Sequence, residues 1–161
     1  MKEKAIRIVL ISDNHLLKDC IGVIRDMYPD ADYFFHCGDS EMPRYLLDGY
    51  ACVQGNNDFY GEYPLNLTLE IGKHRFLLTH GHRDMLYGRY DMLVHKAEKL
   101  GCDVVCFGHT HRYFDETLDG VRLLNPGSVW HNRDGSEPSY MLLTLRGSEI
   151  LVERKTYKVS P

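Results

Sequence analysis

No stretch of this chain stays apolar for the ~20 residues that a bilayer-spanning helix needs, so no helical membrane span is expected. Paired cysteines are also missing. Cys20, Cys37, Cys52, Cys102 and Cys106 are odd in number and form no CxxC pair. A secreted disulfide framework is therefore disfavoured, and a reducing, cytoplasmic setting is expected, with each thiol acting as a small buried hydrophobe. Basic charge is not in excess: 19 Lys and Arg face 23 Asp and Glu, a formal charge of −4. A dedicated nucleic-acid binder usually carries a basic face, so nucleic acid is disfavoured as a partner. The start, "MKEKAIRIVLISD", has a charged beginning and an apolar core, but Arg7 interrupts that core and no small-residue cleavage site precedes Asp13. It reads as a strand rather than a signal peptide. Repeats, low-complexity runs and linkers are absent too, so residues 1–161 are expected to form one domain.

What is present is an alternation of β-branched runs and amphipathic segments. "AIRIVLIS", "ADYFFHC", "YACVQ", "LNLTLEI", "HRFLLT" and "DVVCF" read as strands, the fourth and fifth joined by a tight turn at Gly72 and Lys73. Leu17, Ile21, Ile24 and Tyr28 recur at helical spacing before Pro29, and a short helix is expected between Pro43 and Leu47. Leu86, Tyr90, Leu93, Ala97 and Leu100 mark one face of a longer helix that Gly101 stops. The remainder, "YFDETL", "VRLLN", "SYMLLTL" and "EILVERKTY", reads as strands turning at Asp119-Gly120 and at Gly147. Strand–helix alternation followed by a strand-rich meander predicts an α/β sandwich with two sheets.

Polar residues fall in one recurrent place. Five strands end in "SDNH", "CGDS", "GNND", "THGH" and "GHTH". Each cluster alone has an ordinary explanation. Gly-Asp is a common turn, Asp13 suits a helix N-cap, Asn56 beside Gly55 suits a left-handed turn, and His80 and His82 could pair locally. Five such accidents, each at a strand end, are a poor account of the pattern. Ligands of α/β sheets bind beyond the carboxyl ends of the strands. Parallel strands would therefore bring Asp13, His15, Asp39, Asn56, His80, His109 and His111 to one cleft.

Seven oxygen and nitrogen donors without a thiolate are too many for one tetrahedral zinc and suit two divalent ions sharing a carboxylate. Residues two apart in extended chain point the same way, so His109 and His111 could each serve one ion of a close pair. On ligand hardness Mn²⁺ is the first choice, with Ni²⁺, Fe²⁺/Fe³⁺, Zn²⁺ and Mg²⁺ compatible.

The motifs "SDNH", "GD", "GNND", "HGH" and "GHTH", in this order, resemble those of the calcineurin-like metallophosphoesterases. The short length and "NPGS" resemble the small bacterial and archaeal phosphodiesterase branch, which includes a retromer-subunit relative. The resemblance implies two mixed β-sheets packed as a sandwich and flanked by helices. It also implies one metal held by Asp13, His15, Asp39 and His111, and a second held by Asp39, Asn56, His80 and His109, with Asp39 bridging. A water held between the ions would be acidified and placed in line with phosphorus. His82 would contact the phosphate, and Asp58 would orient the loop around Asn56. The sequence departs from the larger phosphatases at Asn57, where they carry a histidine that assists the leaving group. An amide is a poor proton donor, so monoesters with basic leaving groups should suffer most.

The expected activity is hydrolysis of a small phosphodiester or phosphate ester. The alternative is a non-catalytic interaction scaffold of the same fold, from which the complete ligand set argues away. Tyr113, Phe114, Val129 and Trp130 place apolar groups near the C-terminal loops, which suggests a homo-oligomer unless they simply cover the second sheet.

Overall fold

The computed structural model describes residues 4–59, 62–85 and 88–158. Alternating apolar side chains dictate two sheets whose faces are both covered. The first holds β1 (Ile6–Ile11), β2 (Tyr33–His36), β3 (Tyr50–Cys52), β9 (Ser139–Arg146) and β10 (Glu149–Thr156), in the order β10-β9-β1-β2-β3. The second holds β4 (Asn66–Ile71), β5 (His74–Thr79), β6 (Val104–Cys106), β7 (Tyr113–Leu118) and β8 (Val121–Pro126), in the order β4-β5-β6-β8-β7. Each sheet is mixed: β1, β2 and β3 run parallel in one and β5, β6 and β8 in the other, while the remaining pairs are antiparallel.

The period of two along each strand divides the core into layers. Ile8 and Leu10 of β1 meet Phe76, Leu78 and Val104 between the sheets. Val9 and Ile11 face the opposite way, onto Ile21 and Ile24 of α1 (Cys20–Met27). On the far side Leu77, Val105 and Leu123 pack against Leu93, Val94 and Ala97 of α2 (Asp91–Lys99). The result is the helix-flanked two-sheet sandwich expected from the sequence.

Some local expectations shift. The turn at residues 44–47 is a 3₁₀ helix, and Leu17 precedes α1 while still packing on the same core. Tyr90 stands at the N-cap of α2 rather than within it, and Leu86 lies outside the described residues. Of the four apolar groups considered for assembly, Val129 is fully buried, Phe114 stacks on Tyr90 and Tyr113 lies under the Arg154 guanidinium. Trp130 alone of the four is exposed, at 42%. All five cysteines are buried and unpaired, and no described helix is long and apolar enough to cross a membrane.

Two parallel blocks give six strands whose carboxyl ends share one rim. Backbone hydrogen bonds join the loops there: Asp13 N–H to Gly38 O, His15 N–H to Asp39 O, Gly108 N–H to His80 O and Val129 N–H to Ser12 O.

Candidate metal centre

The loops reach the rim through backbone that few side chains adopt. Asp13, His15, Asp39, His109 and His111 all have positive φ, between 45° and 70°, as does Glu41 at 55°. A left-handed conformation outside glycine carries strain, which the surrounding hydrogen bonds must hold, and such strain clusters at functional sites. Gly108 and Gly55 allow the loops to approach. A Cβ at Gly108 would collide with Ser12 Oγ and the Asp13 carboxylate, and one at Gly55 with Asp39.

All seven expected ligands come together. Two triads of potential ligand atoms form, Asp13–His15–His111 and Asp13–Asp39–His80, each with its atoms within 4.8 Å of one another. Asp13 Oδ1 lies 3.3 Å from His111 Nε2 and 3.8 Å from both His15 Nε2 and His80 Nε2. Asp39 Oδ2 lies 3.3 Å from His80 Nε2 and 3.9 Å from His15 Nε2. Asn56 Oδ1 lies 2.9 Å from His80 Nε2 and 3.1 Å from His109 Nδ1. Asp13 is thus common to both triads, and Asp39 reaches from the second towards His15 of the first.

The outward partners of the rings determine what faces inward. His80 Nδ1–H donates to Cys37 O at 2.7 Å, His111 Nδ1–H to His131 O at 2.9 Å, and His15 Nδ1 meets Glu41 Oε2 at 2.9 Å. Each such bond fixes the tautomer and leaves a basic Nε2 aimed at the centre, as in metal-binding histidines. Asp13 Oδ1 is buried and has no hydrogen-bond partner. A buried, orphaned carboxylate oxygen faced by imidazole nitrogens needs positive charge, whether from a proton or a cation. The donor set therefore fits divalent cations.

The electrostatics agree. Burial alone would push the His80 imidazole down, but Asp13 and Asp39 outweigh it and raise its pKa to about 9. Burial would raise Asp13 and Asp39, yet His80 and their hydrogen bonds hold both carboxyls below the usual range. Burial and the neighbouring His80 push His82 and His109 down. His82 stands beside this centre, its ring 5.4 Å from that of His80 and its buried Nδ1 without a partner.

Asp58 lies beneath the ligands. Its Oδ2 accepts the N–H groups of Asp39 (2.9 Å) and Gly55 (2.7 Å), and its Oδ1 accepts that of Glu41 (2.8 Å). It ties the "CGDS" loop to the "GNND" loop. Asn57 grips Asp39 twice, backbone N–H to Oδ1 at 2.8 Å and Nδ2–H to Oδ2 at 2.9 Å.

Other supports were not singled out in the sequence. Glu41 holds His15. Ser128 Oγ donates to Asp13 O at 2.7 Å, and Asn125 Nδ2 holds Gly108 O and Thr110 Oγ1. Gly38 N–H donates to His36 Nδ1, so His36 Nε2–H donates to Asn14 Oδ1 at 2.7 Å, wholly buried. The "NPGS" motif was the available signal for Asn125 and Ser128. Glu41 and His36 offered none, because the partner of Glu41 is set by a left-handed loop and that of His36 by how the loop after β1 packs on the end of the parallel strand β2.

The model of the calcineurin-like phosphoesterase superfamily domain matches residues 6–148. A probable metallophosphoesterase of Bacillus subtilis is 37% identical over 148 residues, covering 90% of this chain and 88% of that protein. A crystal structure of a Streptococcus pneumoniae protein described as a predicted phosphoesterase superposes with a TM-score of 0.90 at 30% identity, covering 99% of this chain and 95% of that one. Two more distant structures share the fold. Vacuolar protein sorting 29 of Cryptosporidium parvum has a TM-score of 0.80 at 19% identity, covering 97% and 93% of the two chains. An archaeal phosphodiesterase has a TM-score of 0.73 at 24% identity, covering 93% and 100%.

Proposed function

The chain belongs to the calcineurin-like phosphoesterase superfamily, and from that premise we propose that it hydrolyses phosphodiester bonds of a small substrate with two divalent ions. The observation that carries this reading is the orphaned Asp13 Oδ1 faced by three imidazole Nε2 atoms. Asp13, His15, Asp39 and His111 would hold one ion, and Asp39, Asn56, His80 and His109 the other. Mn²⁺ is preferred on ligand hardness. Such a pair supplies the acidified water for in-line attack and neutralises charge on the phosphoryl oxygens.

The chain's own residues do the rest. Asp39, with Oδ2 between His15 and His80, is the shared carboxylate. His82, whose pKa burial and the neighbouring His80 push down, stands beside the centre and receives the phosphate. Asp58 and Asn57 hold the loops and the shared carboxylate in place. Neither is a proton donor to the leaving group, which favours diesters and activated esters. The archaeal phosphodiesterase of the same fold supports the diester reading. All of residues 1–161 act as one domain, and five buried thiols suit a reducing cytoplasm. The scaffold alternative rests on fold alone, and the intact donor set favours hydrolysis.

The experiment is hydrolysis of bis(4-nitrophenyl) phosphate by Mn²⁺-loaded protein, compared with Asp39→Asn. That variant keeps the shape but weakens both ions, and should lose at least ~10²-fold in kcat with its circular dichroism unchanged. Retention of about half the wild-type turnover would refute the assignment of Asp39.

A further inference from the structure

The chain has a single tryptophan, and it stands at the metal centre. The Trp130 ring meets His15 edge-on at 5.1 Å between centroids and His111 at 6.2 Å. Its backbone N–H donates at 3.0 Å to Ser128 Oγ, and Ser128 Oγ in turn donates to Asp13 O. Two consecutive hydrogen bonds therefore tie the Trp130 backbone to the loop that carries Asp13. A ring of this size usually buries its apolar surface, yet Trp130 stays 42% exposed. The same indole walls a cavity of about 380 Å³ with Leu17, Val129, Pro138 and Tyr157, and Glu137 and Lys158 contribute its polar edge. Ligand sites combine apolar and aromatic walls with a few polar groups, and Trp130 belongs both to this cavity and to the surround of His15 and His111.

We propose that Trp130 determines specificity by receiving a planar aromatic ester substituent of the substrate, seated between the indole and Tyr157 while the phosphoryl group lies on the metal centre. This rests on the phosphoesterase reading and adds a substrate class to it: phosphoesters bearing an aryl or heteroaromatic group. An aromatic group stacks on an indole through complementary quadrupoles and shed water, whereas a methyl group covers little of its face. The phosphoryl contacts are common to both kinds of ester, so discrimination falls to the wall.

The test compares two phosphonates, which carry the phosphoryl anion but cannot be hydrolysed. Calorimetry on the metal-loaded protein should find phenylphosphonate bound about tenfold more tightly than methylphosphonate, the scale of a single aromatic stack. Tryptophan fluorescence, which can come only from Trp130, should shift with the phenyl compound and much less with the methyl one. Trp130→Ala should bring the two affinities to within about twofold by weakening only phenylphosphonate, while Trp130→Phe keeps most of the preference. Equal affinities in the wild type, or a preference unchanged in Trp130→Ala, would overturn the role of Trp130 and leave the phosphoesterase reading standing. If neither phosphonate binds, the role of Trp130 is overturned, and hydrolysis of bis(4-nitrophenyl) phosphate by the same metal-loaded preparation decides the phosphoesterase reading separately: turnover keeps it and no turnover refutes it. A dimer in light scattering whose fluorescence shifts on dilution would assign the indole to a second copy of the chain and overturn the proposal.

Discussion

His15 Nε2 and His111 Nε2 face each other at 3.1 Å, and the partners on their far sides make both atoms lone-pair acceptors in the neutral rings. Two acceptors at that distance repel unless a proton or a metal ion lies between them. Divalent metal should therefore stabilise the folded chain strongly. At ~1,000 times the dissociation constant the gain is about 4 kcal/mol, or ~10 °C in Tm for a chain of this size. Elemental analysis after Mn²⁺ loading should find two ions per chain in the wild type and about one in His15→Ala, since the Asp39–His80 group survives that change. One ion or none in the wild type would sink the two-ion reading, and so would a Tm indifferent to chelator.

Asp58 supports the centre without facing it. Three backbone N–H groups converge on its two oxygens. In Asp58→Asn one oxygen becomes an NH₂ group and must confront a backbone donor. Losing a charge-assisted bond and leaving a donor unsatisfied should cost about 2–3 kcal/mol. Because the joined loops carry Asp39 and Asn56, metal affinity should fall along with stability. Urea unfolding in chelator measures the first effect and metal titration the second. An unchanged urea midpoint would show that Asp58 is not a structural anchor.

His36 gives a pH dependence whose sign follows from burial. The folded protein holds this imidazole neutral, since desolvation depresses its pKa to about 4 against the ordinary 6.5. Between those values the unfolded chain binds a proton that the folded chain refuses. Stability from this group is complete above about pH 6.5 and is lost as pH falls toward 4, a change of about 3 kcal/mol. His36→Gln retains a donor for Asn14 and cannot titrate. Its unfolding free energy in chelator should fall less steeply across that window than the wild-type value. Parallel slopes would show that His36 is not the group responsible.

The layers of the sandwich and the gathering of seven candidate ligand side chains were legible because each is a short-range signal. Ile8 and Leu10 alternate with Val9 and Ile11, and every polar cluster directly follows its strand. The supports were hidden because they depend on how loops and strand ends pack together. His36, at the end of β2, meets Asn14 in the loop that follows the parallel strand β1, and Glu41 turns toward His15 through a left-handed backbone that the letter Glu does not advertise. Exposure was equally opaque. Val129 and Trp130 are adjacent and similarly apolar, yet one is sealed in the core while the other stands at the centre. The helical period through Tyr90 continues past the true start of α2, since the ring packs on Phe114 from outside the helix.

Asn57 tests whether the missing acid limits the choice of substrate. The residue grips both oxygens of Asp39, so its present work is to hold that carboxylate, and an amide supplies no proton at neutral pH. A nitrophenyl diester leaves as a weakly basic phenolate and needs little help, whereas an alkyl monoester leaves as a strongly basic alkoxide. Asn57→His keeps the backbone bond to Asp39, gives up the amide bond and introduces an imidazole with an ordinary pKa of about 6.5. General-acid assistance contributes ~10²–10⁴-fold when well oriented. Asp58 already accepts three N–H groups from the loops it joins, and an introduced ring has no partner built to orient it, so only part of that gain should appear. The ratio of alkyl monoesterase to aryl diesterase activity should rise several-fold, and the gain should fade as pH climbs above about 6.5 and the ring loses its proton. Asn57→Ala, which loses the grip without gaining an acid, should lower both activities and leave their ratio in place. The measurement requires equal metal content in all three proteins, because the new imidazole could itself take or displace an ion. A ratio that stays flat in Asn57→His at equal loading would mean that leaving-group protonation is not what separates the two substrate classes.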